Sequence, residues 1–343
     1  MSTVWGWALP VGVGLAAWWL GGLVPVIGAP VLGIIFGLVI GQVAGQPAAW
    51  KAGTQFHAKR VLQASIVLLG AGMSLAQIAA IGGVGLPVML GTIVVAVAAG
   101  HALTRVLKVD HETGLLVTYG TTICGASAIA TMSQVIKARA AAIAVSIAVI
   151  VLYNVIAALG FPALGMAFGF TPETFGLWAG TAVNDTSSVV AAATSFDAQL
   201  IAAGAVVGGA TASAYAVVVK LTRTLMLIPL AVFQQWLGAR HLGAEERGAT
   251  PWWRMVPAFL LWFLAAAALR TLGIIPEVAD PWLKLAAHLG TTIAMTAVGM
   301  SSSLRAIREA GWRPLALGGI LWVLIAVTAL GLQAVTGQLV FVG

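Results

Sequence analysis

Charged residues are scarce in this chain: Asp, Glu, Lys and Arg make up 8% of its 343 residues, whereas 60% are hydrophobic. Soluble domains carry about 25% charged residues, so the composition excludes a soluble enzyme or binding domain. A single cysteine, Cys124, excludes an internal disulfide and a Cys-x-x-Cys metal site. The sequence contains neither a Walker-type phosphate loop nor a His-Glu-x-x-His motif, so no nucleotide, metal or other cofactor is expected.

The chain has instead long hydrophobic runs that are rich in Ala, Val, Leu and Gly. Runs of about 20 such residues form helices that cross a hydrocarbon core about 30 Å thick. The sequence therefore predicts an all-α polytopic membrane protein with about 9–11 transmembrane segments in a single transporter domain, residues 1–343. The net charge of +7 does not indicate nucleic acid binding, because the basic residues lie in short loops that orient the chain in the bilayer.

The ordinary spans follow from the positions of these runs. The apolar stretch 198–237 would be about 60 Å long as one helix, so we divide it into a short helix at 198–209 and a span. Basic loops are expected at 47–60 and 238–254. The expected spans are 4–25, 30–46, 61–80, 86–106, 140–160, 211–237, 255–273, 282–304 and 314–336.

Two related stretches interrupt this hydrophobic pattern. Residues 120–131 read Gly-Thr-Thr-Ile-Cys-Gly-Ala-Ser-Ala-Ile-Ala-Thr, and residues 180–191 read Gly-Thr-Ala-Val-Asn-Asp-Thr-Ser-Ser-Val-Val-Ala. Polar interruptions within a membrane are tolerated only where protein buries them or where they line a cavity. Paired interruptions in a repeat indicate the binding site of a transporter. We therefore predict two discontinuous or re-entrant helices, 112–136 and 173–196, in an inverted-repeat transporter fold; close helix packing by small residues is the alternative.

The distribution of Lys and Arg favours re-entrant hairpins over full crossings. With two hairpins there are nine full spans, and 13 basic residues lie inside against two outside. If both segments cross, the count becomes 11 against four, which agrees less well with the positive-inside rule. This topology places the N-terminus in the cytoplasm and the C-terminus in the periplasm. One span separates the hairpins, so they would enter from opposite faces.

The tips of the hairpins are the predicted substrate site. The second arm of each would present its N-terminal amides, which attract anions. For each Ser or Thr the alternative is a bond to its own helix, and for Cys124 it is a buried thiol without a neighbouring base. The candidate substrate ligands are Thr121, Thr122, Cys124, Gly125, Ala126 and Ser127 at the first tip, and Asn184, Thr186, Ser187 and Ser188 at the second.

Three charged residues are further candidates. Asp185 is the only acidic residue expected within a membrane segment away from its ends, and it is predicted to bind a coupling H⁺ or Na⁺; the alternative is a helix cap. Lys220 and Arg223 lie one turn apart on one helix face. They are predicted to bind an anionic substrate or to neutralise Asp185. Alternatively, 198–219 is the span, and both basic residues mark its cytoplasmic end.

The two tip motifs, together with Lys220-Leu-Thr-Arg223, resemble the YeiH-type family of bacterial membrane proteins that is named for sulfate export. The likeness covers most of the chain. It implies a secondary transporter of the bacterial inner membrane, with sulfate or an organosulfonate as substrate, and distant kinship with bile-acid and cation/proton antiporter folds. The chain departs from the family pattern at Asn184, where the family has His, at Thr186 and Ser188, which replace an apolar residue and Gln, and at Ala126, which replaces Gly. The chain therefore has no histidine at the position where the resemblance implies a proton-coupling one.

The leading functional prediction is a secondary transporter of a small anion, and not an enzyme. The main alternative is a cation/proton antiporter centred on Asp185. An intramembrane hydrolase that uses Ser127 or Cys124 is the least favoured, because a second aspartate and a histidine partner are missing. The expected partners are the anion and the lipid bilayer, with a homodimer as the alternative to a monomer.

Overall fold

The structure is a computed structural model that describes residues 2–24, 28–45, 47–204, 210–239 and 258–342. In this part of the chain the secondary structure is helical, apart from one isolated β-bridge between Phe170 and Phe341. A 3₁₀ turn (Ala48–Trp50) precedes α3, and a π-helical stretch (His57–Val61) joins α3 to α4. The α-helices are α1 (Ser2–Leu23), α2 (Ala29–Val43), α3 (Lys51–Phe56), α4 (Leu62–Ala71), α5 (Leu75–Val106), α6 (His111–Thr122), α7 (Ala126–Val135), α8 (Ala140–Ala167), α9 (Pro172–Ala182), α10 (Thr186–Ala202), α11 (Ala212–Leu225), α12 (Leu227–Ala239), α13 (Ala258–Thr271), α14 (Asp280–Ser301), α15 (Leu304–Glu309) and α16 (Trp312–Val335).

Several of these helices have the length and composition of membrane spans. Two shorter apolar helices, α2 and α13, accompany them. The prediction of an all-α polytopic membrane protein is confirmed, while the number of spans and the inverted repeat stay predictions. The five stretches within the described residues that are long and apolar enough to cross a bilayer are Val4–Leu23, Leu75–Val106, Ala140–Ala167, Ala212–Gln234 and Trp312–Val335.

The helices form two bundles. The scaffold bundle contains α1–α4, α13 and α14, and the hairpin bundle contains α5–α12 and α16. They meet chiefly where α10 packs against α2 and α14. The bundle that contains both predicted special segments is therefore separate from the one that begins the chain.

The scaffold bundle is built on a close contact between α2 and α14. Gly33, Gly37 and Gly41 recur every four residues along α2 and face α14. A Cβ atom at Gly37 would clash with the Thr296 carbonyl oxygen, so only glycine permits this approach. Small residues at four-residue spacing are a common basis for helix association in membranes.

The two ends of the molecule are distinct. One end, which we call the basic face, carries several basic residues. There Arg313 Nη1 donates to the Lys108 carbonyl oxygen at 3.4 Å, and Arg139 is the N-cap residue of α8. At the other end, the C-terminal face, Val342 N donates to the Gly169 carbonyl oxygen at 2.7 Å just beyond the end of α8. The 28 residues of α8 thus connect the two faces over about 42 Å.

The predicted boundary between the third and fourth spans was wrong. The spans expected at 61–80 and 86–106 are α4, which ends at Ala71, and α5, which begins at Leu75. Ser74 starts α5 with a capping box: Gln77 N donates to Ser74 Oγ at 3.2 Å, and Ser74 N donates to Gln77 Oε1 at 2.9 Å. This Ser-x-x-Gln signal was present in the sequence and explains the early start of α5.

Three other boundaries also differ. Most of the expected loop 47–60 is helical, and α8 continues past 160 through Pro162 to Ala167. The short helix expected at 198–209 does not exist as such, because 198–202 continue α10 until Gly204 adopts φ +79°. Residues 205–209 lie outside the described part of the chain. The same holds for 240–257, which include most of the predicted loop 238–254 and its arginines.

Candidate functional site

The first special segment folds back on itself as a hairpin, α6–α7. The helix stops at Thr122, and Ile123, Cys124 and Gly125 separate it from α7. Gly125 has φ +66°, a backbone conformation that favours glycine. After this turn the arms pack together, since a Cβ at Gly120 would lie 3.0 Å from Ile129 Cγ1.

The open end of this first hairpin is closed by Arg139 on the basic face. Its Nη2 lies 2.8 Å from Asp110 Oδ1 and its Nε lies 3.0 Å from Glu112 Oε2. Partial burial raises the pKa of Asp110, but the Thr113 amide and Arg139 stabilise the carboxylate more, so that the net pKa is lowered. The chain therefore leaves the hairpin on the side where it entered.

The second special segment is also a hairpin, α9–α10, with its open end at the C-terminal face. Phe175 of α9 stacks on Phe196 of α10, with ring centroids 3.9 Å apart and an interplanar angle of 3°. At the base, Thr174 Oγ1 lies 3.0 Å from the Val340 carbonyl oxygen in the C-terminal segment. Because α8 separates the two bases, the hairpins enter the fold from opposite faces.

The tips of the two hairpins touch. A Cβ atom placed on Gly125 would lie 3.1 Å from Asp185 Cβ and 3.4 Å from Asp185 Cα. The second tip is also held from α8, because Asp185 N donates to Asn154 Oδ1 at 3.0 Å. We call this meeting point of residues 121–127 and 182–188 the crossing.

The basic pair lies against the crossing on α11. This helix packs along α9 at Gly176 and Gly180, and Lys220 and Arg223 are both 0% exposed. Lys220 Nζ donates to the Val183 carbonyl oxygen at 2.7 Å. The Lys220 contact is thus with the second hairpin alone.

Arg223 joins the two hairpins. Its Nε donates to the Thr122 carbonyl oxygen at 2.6 Å, and its Nη1 donates to the Thr181 carbonyl oxygen at 2.5 Å. A further bond of 3.3 Å joins Nη1 to Thr92 Oγ1 of α5. These carbonyls lie at the C-terminal ends of α6 and α9. The helix dipole is negative there, so both helix ends stabilise the positively charged guanidinium.

Four helix ends meet at the crossing, and three of them contact a charged side chain. The basic pair contacts the carboxyl ends of α6 and α9, and Asp185 caps α10, where it accepts from Ser187 N at 3.2 Å and from the Ser187 hydroxyl. The N-terminus of α7 has no side-chain cap, and its first residues, Ala126 and Ser127, are exposed. Among the described residues, the N-terminus of α7 is therefore the one helix end of the site without a charged partner, and that end is positive.

Several buried polar atoms without a hydrogen-bond partner in the described protein lie on residues of the crossing and on Arg223 beside it. A buried polar group without a partner costs about 1–3 kcal/mol. A bound ligand that hydrogen-bonds to these groups would remove that cost. Arg223 contributes a charged donor, and the others contribute hydroxyl and amide groups. These atoms include Thr121 Oγ1, Thr122 Oγ1, Asn184 Oδ1, Asn184 Nδ2 and Arg223 Nη2.

The other predicted site residues share this location but differ in exposure. Cys124 is buried in the break of the first hairpin, within reach of Thr224. At the second tip Ser187 and Ser188 are buried, whereas Thr186 is half-buried. All the predicted ligands thus lie at the crossing or on α11 next to it.

One expectation for the basic pair was wrong. The pair does not mark the end of a span at 198–219, because α11 begins at Ala212 and both side chains are buried. Within the described residues the pair forms no direct ion pair with Asp185, and its shortest bonds go to backbone carbonyls, so neutralisation of Asp185 by the pair stays a prediction. Lys220 and Asp185 nevertheless lie close enough to interact electrostatically.

Two polar residues that sequence reasoning did not single out hold elements that build the site. Asp197 of α10 is a buried acidic residue one position beyond the predicted segment 173–196, and it accepts from Ala212 N at 2.8 Å and from Ser213 N at 3.0 Å at the start of α11. Asn154 is a lone amide in an apolar span. A single amide in an apolar span could have marked Asn154 as a candidate. No local pattern predicts the contact of Asp197 with the start of α11.

Comparison with known proteins identifies the family. The family described as Conserved hypothetical protein 698 matches residues 5–318. A UPF0324 membrane protein of Streptococcus pyogenes serotype M18 is 38% identical over 330 residues, 94% of each chain. UPF0324 membrane proteins of Streptococcus pneumoniae strain R6 and Streptococcus mutans are 37% and 36% identical, over 95% of each chain. No solved structure matches the chain. The chain therefore belongs to this family of membrane proteins, which is the YeiH family that its motifs resemble.

Proposed function

We propose that the protein is a secondary transporter of a small oxyanion, such as sulfate or an organosulfonate, and that the crossing is its binding site. The observation that carries the proposal is the buried guanidinium of Arg223, which bonds to both hairpins and keeps Nη2 without a partner in the described protein. Tips of discontinuous helices that meet within the fold are the usual site of substrate binding in transporters.

The charge at the crossing favours an anion. The side chains supply two positive charges, from Lys220 and Arg223, and one negative charge, from Asp185, which leaves a net charge of +1 when all three are ionised. The uncapped N-terminus of α7 adds a positive partial charge of about one half. An oxyanion would accept bonds from Arg223 Nη2, from the first amides of α7 and from the hydroxyls of Thr121 and Thr122.

Asp185 has a separate role in this proposal. It already accepts two bonds from Ser187, and a carboxylate would repel a bound anion. We propose that it binds the coupling ion, H⁺ or Na⁺. The same residue supports the second candidate function, a cation/proton antiporter, because its side chain is half-buried and does not pair with either basic residue within the described chain.

The arrangement favours transport over catalysis. A hydrolase would need an activated nucleophile, and Cys124 is buried beside a threonine, with no histidine among the residues of the crossing. We place the protein in the bacterial inner membrane as a multi-pass protein, with both tips near mid-bilayer. The basic face would lie in the cytoplasm, in accord with the positive-inside rule.

A thermal-shift screen of the purified protein tests the proposal. The ligands are sulfate, thiosulfate, sulfite, taurine, sulfoacetate and simple carboxylates, with the chloride salts as controls. A specific ligand at 100 times its Kd stabilises the folded state by about 2.7 kcal/mol, so at least one sulfur oxyanion should raise the melting temperature. If no anion does so, and proteoliposomes instead show sodium- and pH-dependent currents without any anion, the antiporter is correct and the anion carrier is not.

A further inference from the structure

A cavity of about 450 Å³ opens between the two bundles at the basic face. Gln55, Ala58 and Lys59 line it from the scaffold bundle, together with Val298 and Ser301 of α14. Val151 of α8 lines it from the hairpin bundle. No acidic residue is among its lining residues, and Lys59 is the one that carries a charge.

The inner wall of this cavity adjoins the crossing. Val151 lies on α8 one turn before Asn154, whose side chain holds the backbone of the second tip. Residues three apart on a helix are neighbours, separated by about 4.5 Å along the axis. The preceding residue, Ile150, contacts the first tip, because its Cγ2 would lie 3.3 Å from a Cβ on Gly125. A ligand in the cavity would thus be about one helical turn from the site.

The local backbone positions Lys59 in an unusual way. Lys59 and Ala58 both belong to the π-helical stretch His57–Val61. Such stretches are rare and often occur at functional sites, because the wider turn changes which face a side chain takes. The stretch is fixed by His57, which is buried, bonds through Nδ1 to the Gly53 carbonyl oxygen at 2.8 Å and contacts the ring of Trp7.

Lys59 is available for a ligand. Its side chain is exposed, and it forms no ion pair with any residue in the described part of the chain. A single positive charge in a crevice with low-dielectric walls raises the local concentration of anions. Arg60, the next residue, is also exposed but does not line the cavity, so it provides a matched control.

We propose that this cavity is the access vestibule on the basic face, through which a small oxyanion reaches the crossing, and that Lys59 attracts and orients the anion there. The proposal rests on the proposed function for the identity of the substrate. Independently of that identity, the proposal states that a water-filled, anion-selective path runs between the bundles and ends at Val151.

Cysteine labelling tests the vestibule without any need for transport. Val151→Cys is introduced into the full chain, where the native Cys124 is buried and the unaltered protein reports its background reactivity. Membranes are treated with an anionic sulfonatoethyl or a cationic trimethylammonioethyl methanethiosulfonate. Ile156→Cys is the control, because Ile156 is 41% exposed on another face of α8. We expect Val151→Cys to react much faster than Ile156→Cys and to favour the anionic reagent.

The role of Lys59 is then measured by the ratio of the anionic to the cationic rate at Val151→Cys. Removal of one charge at a distance of several ångströms in water should lower this ratio about fivefold in Lys59→Gln, with little change in Arg60→Gln and recovery in Lys59→Arg. Equal rates for Val151→Cys and Ile156→Cys would overturn the vestibule, and equal ratios in Lys59→Gln and Arg60→Gln would overturn the role of Lys59. If the labelling results hold but no anion stabilises the protein, the vestibule stands and the proposed substrate fails.

Discussion

The two hairpins have similar sequences but differently built tips. The residues that occupy equivalent positions in the repeat, Gly125 and Asp185, are in contact with each other at the crossing. One turns with a positive φ and leaves its helix uncapped, whereas the other caps its helix with a carboxylate. The shared residues thus set the shape of both tips, and the differing pair sets their charge.

This difference supports the separate roles that we propose for the two tips. The first tip has a free positive helix end and exposed residues, and so is suited to an anion. The second tip carries a titratable group and is suited to the coupling ion. Glycine at 125 is also what leaves room for Asp185, because a Cβ there would approach Asp185 to 3.1 Å.

The largest effect on stability is expected for Arg223, which joins the two tips. Arg223→Gln leaves the carbonyls of Thr122 and Thr181 without their charged donor and should lower the free energy of unfolding by about 2–5 kcal/mol. Lys220→Gln affects only the Val183 carbonyl and should cost about 1–3 kcal/mol. Denaturation in detergent measures both variants. A smaller loss for Arg223→Gln than for Lys220→Gln would show that the guanidinium does not hold the hairpins together.

A second effect is expected where the tips touch. Gly125→Ala forces a side chain into a backbone conformation that disfavours it and against Asp185, at a cost of about 1–3 kcal/mol. Gly204→Ala is the matched control, because Gly204 also has a positive φ, of +79°, but no atom of the described residues lies within 4 Å of its added Cβ. The two melting temperatures are compared. If Gly204→Ala is destabilised as much as Gly125→Ala, the contact between the tips contributes nothing.

The charge of the second tip is tested by Asp185→Asn. Asparagine caps helices about as well as aspartate, so stability should change by less than about 1 kcal/mol. Anion exchange should persist in proteoliposomes, while uptake driven by a pH or sodium gradient should be lost. Unchanged gradient dependence would leave Asp185 as a helix cap alone.

The smallest effect is expected at the base of the first hairpin. Arg139→Gln removes exposed ion pairs, which contribute little to stability because solvent screens them. Because the pKa of Asp110 is lowered in the folded state, this contribution is present above the unfolded pKa of about 4 and is lost as the pH falls through the folded pKa. The stability difference between wild type and Arg139→Gln should therefore shrink in acid. A difference that grows in acid would contradict the assignment.

The sequence predicted the two helix breaks better than it predicted the helix ends. The paired interruptions located both breaks, because a polar glycine-bearing stretch in an apolar run is a strong local signal. No such signal predicted that Arg223 bonds to carbonyl oxygens at the ends of two helices. These carbonyls are 42 and 101 residues away in sequence. The early start of α5 was readable from Ser74 and Gln77, but the apolar run on either side of them concealed it. The partners of Asp197 and Lys220 required the folded arrangement of α9, α10 and α11.

Binding of radiolabelled sulfate to the purified protein tests the central claim most directly. Wild type is compared with Lys220→Gln and Arg223→Gln, with Arg223→Lys as a variant that keeps the charge and Arg139→Gln as a control for the loss of an arginine elsewhere. Loss of a charge-assisted bond of about 1.5–3 kcal/mol predicts an affinity at least about tenfold weaker in both glutamine variants, and an unchanged affinity in Arg139→Gln. Near-normal sulfate affinity in both Lys220→Gln and Arg223→Gln would contradict the assignment of the crossing as the anion site.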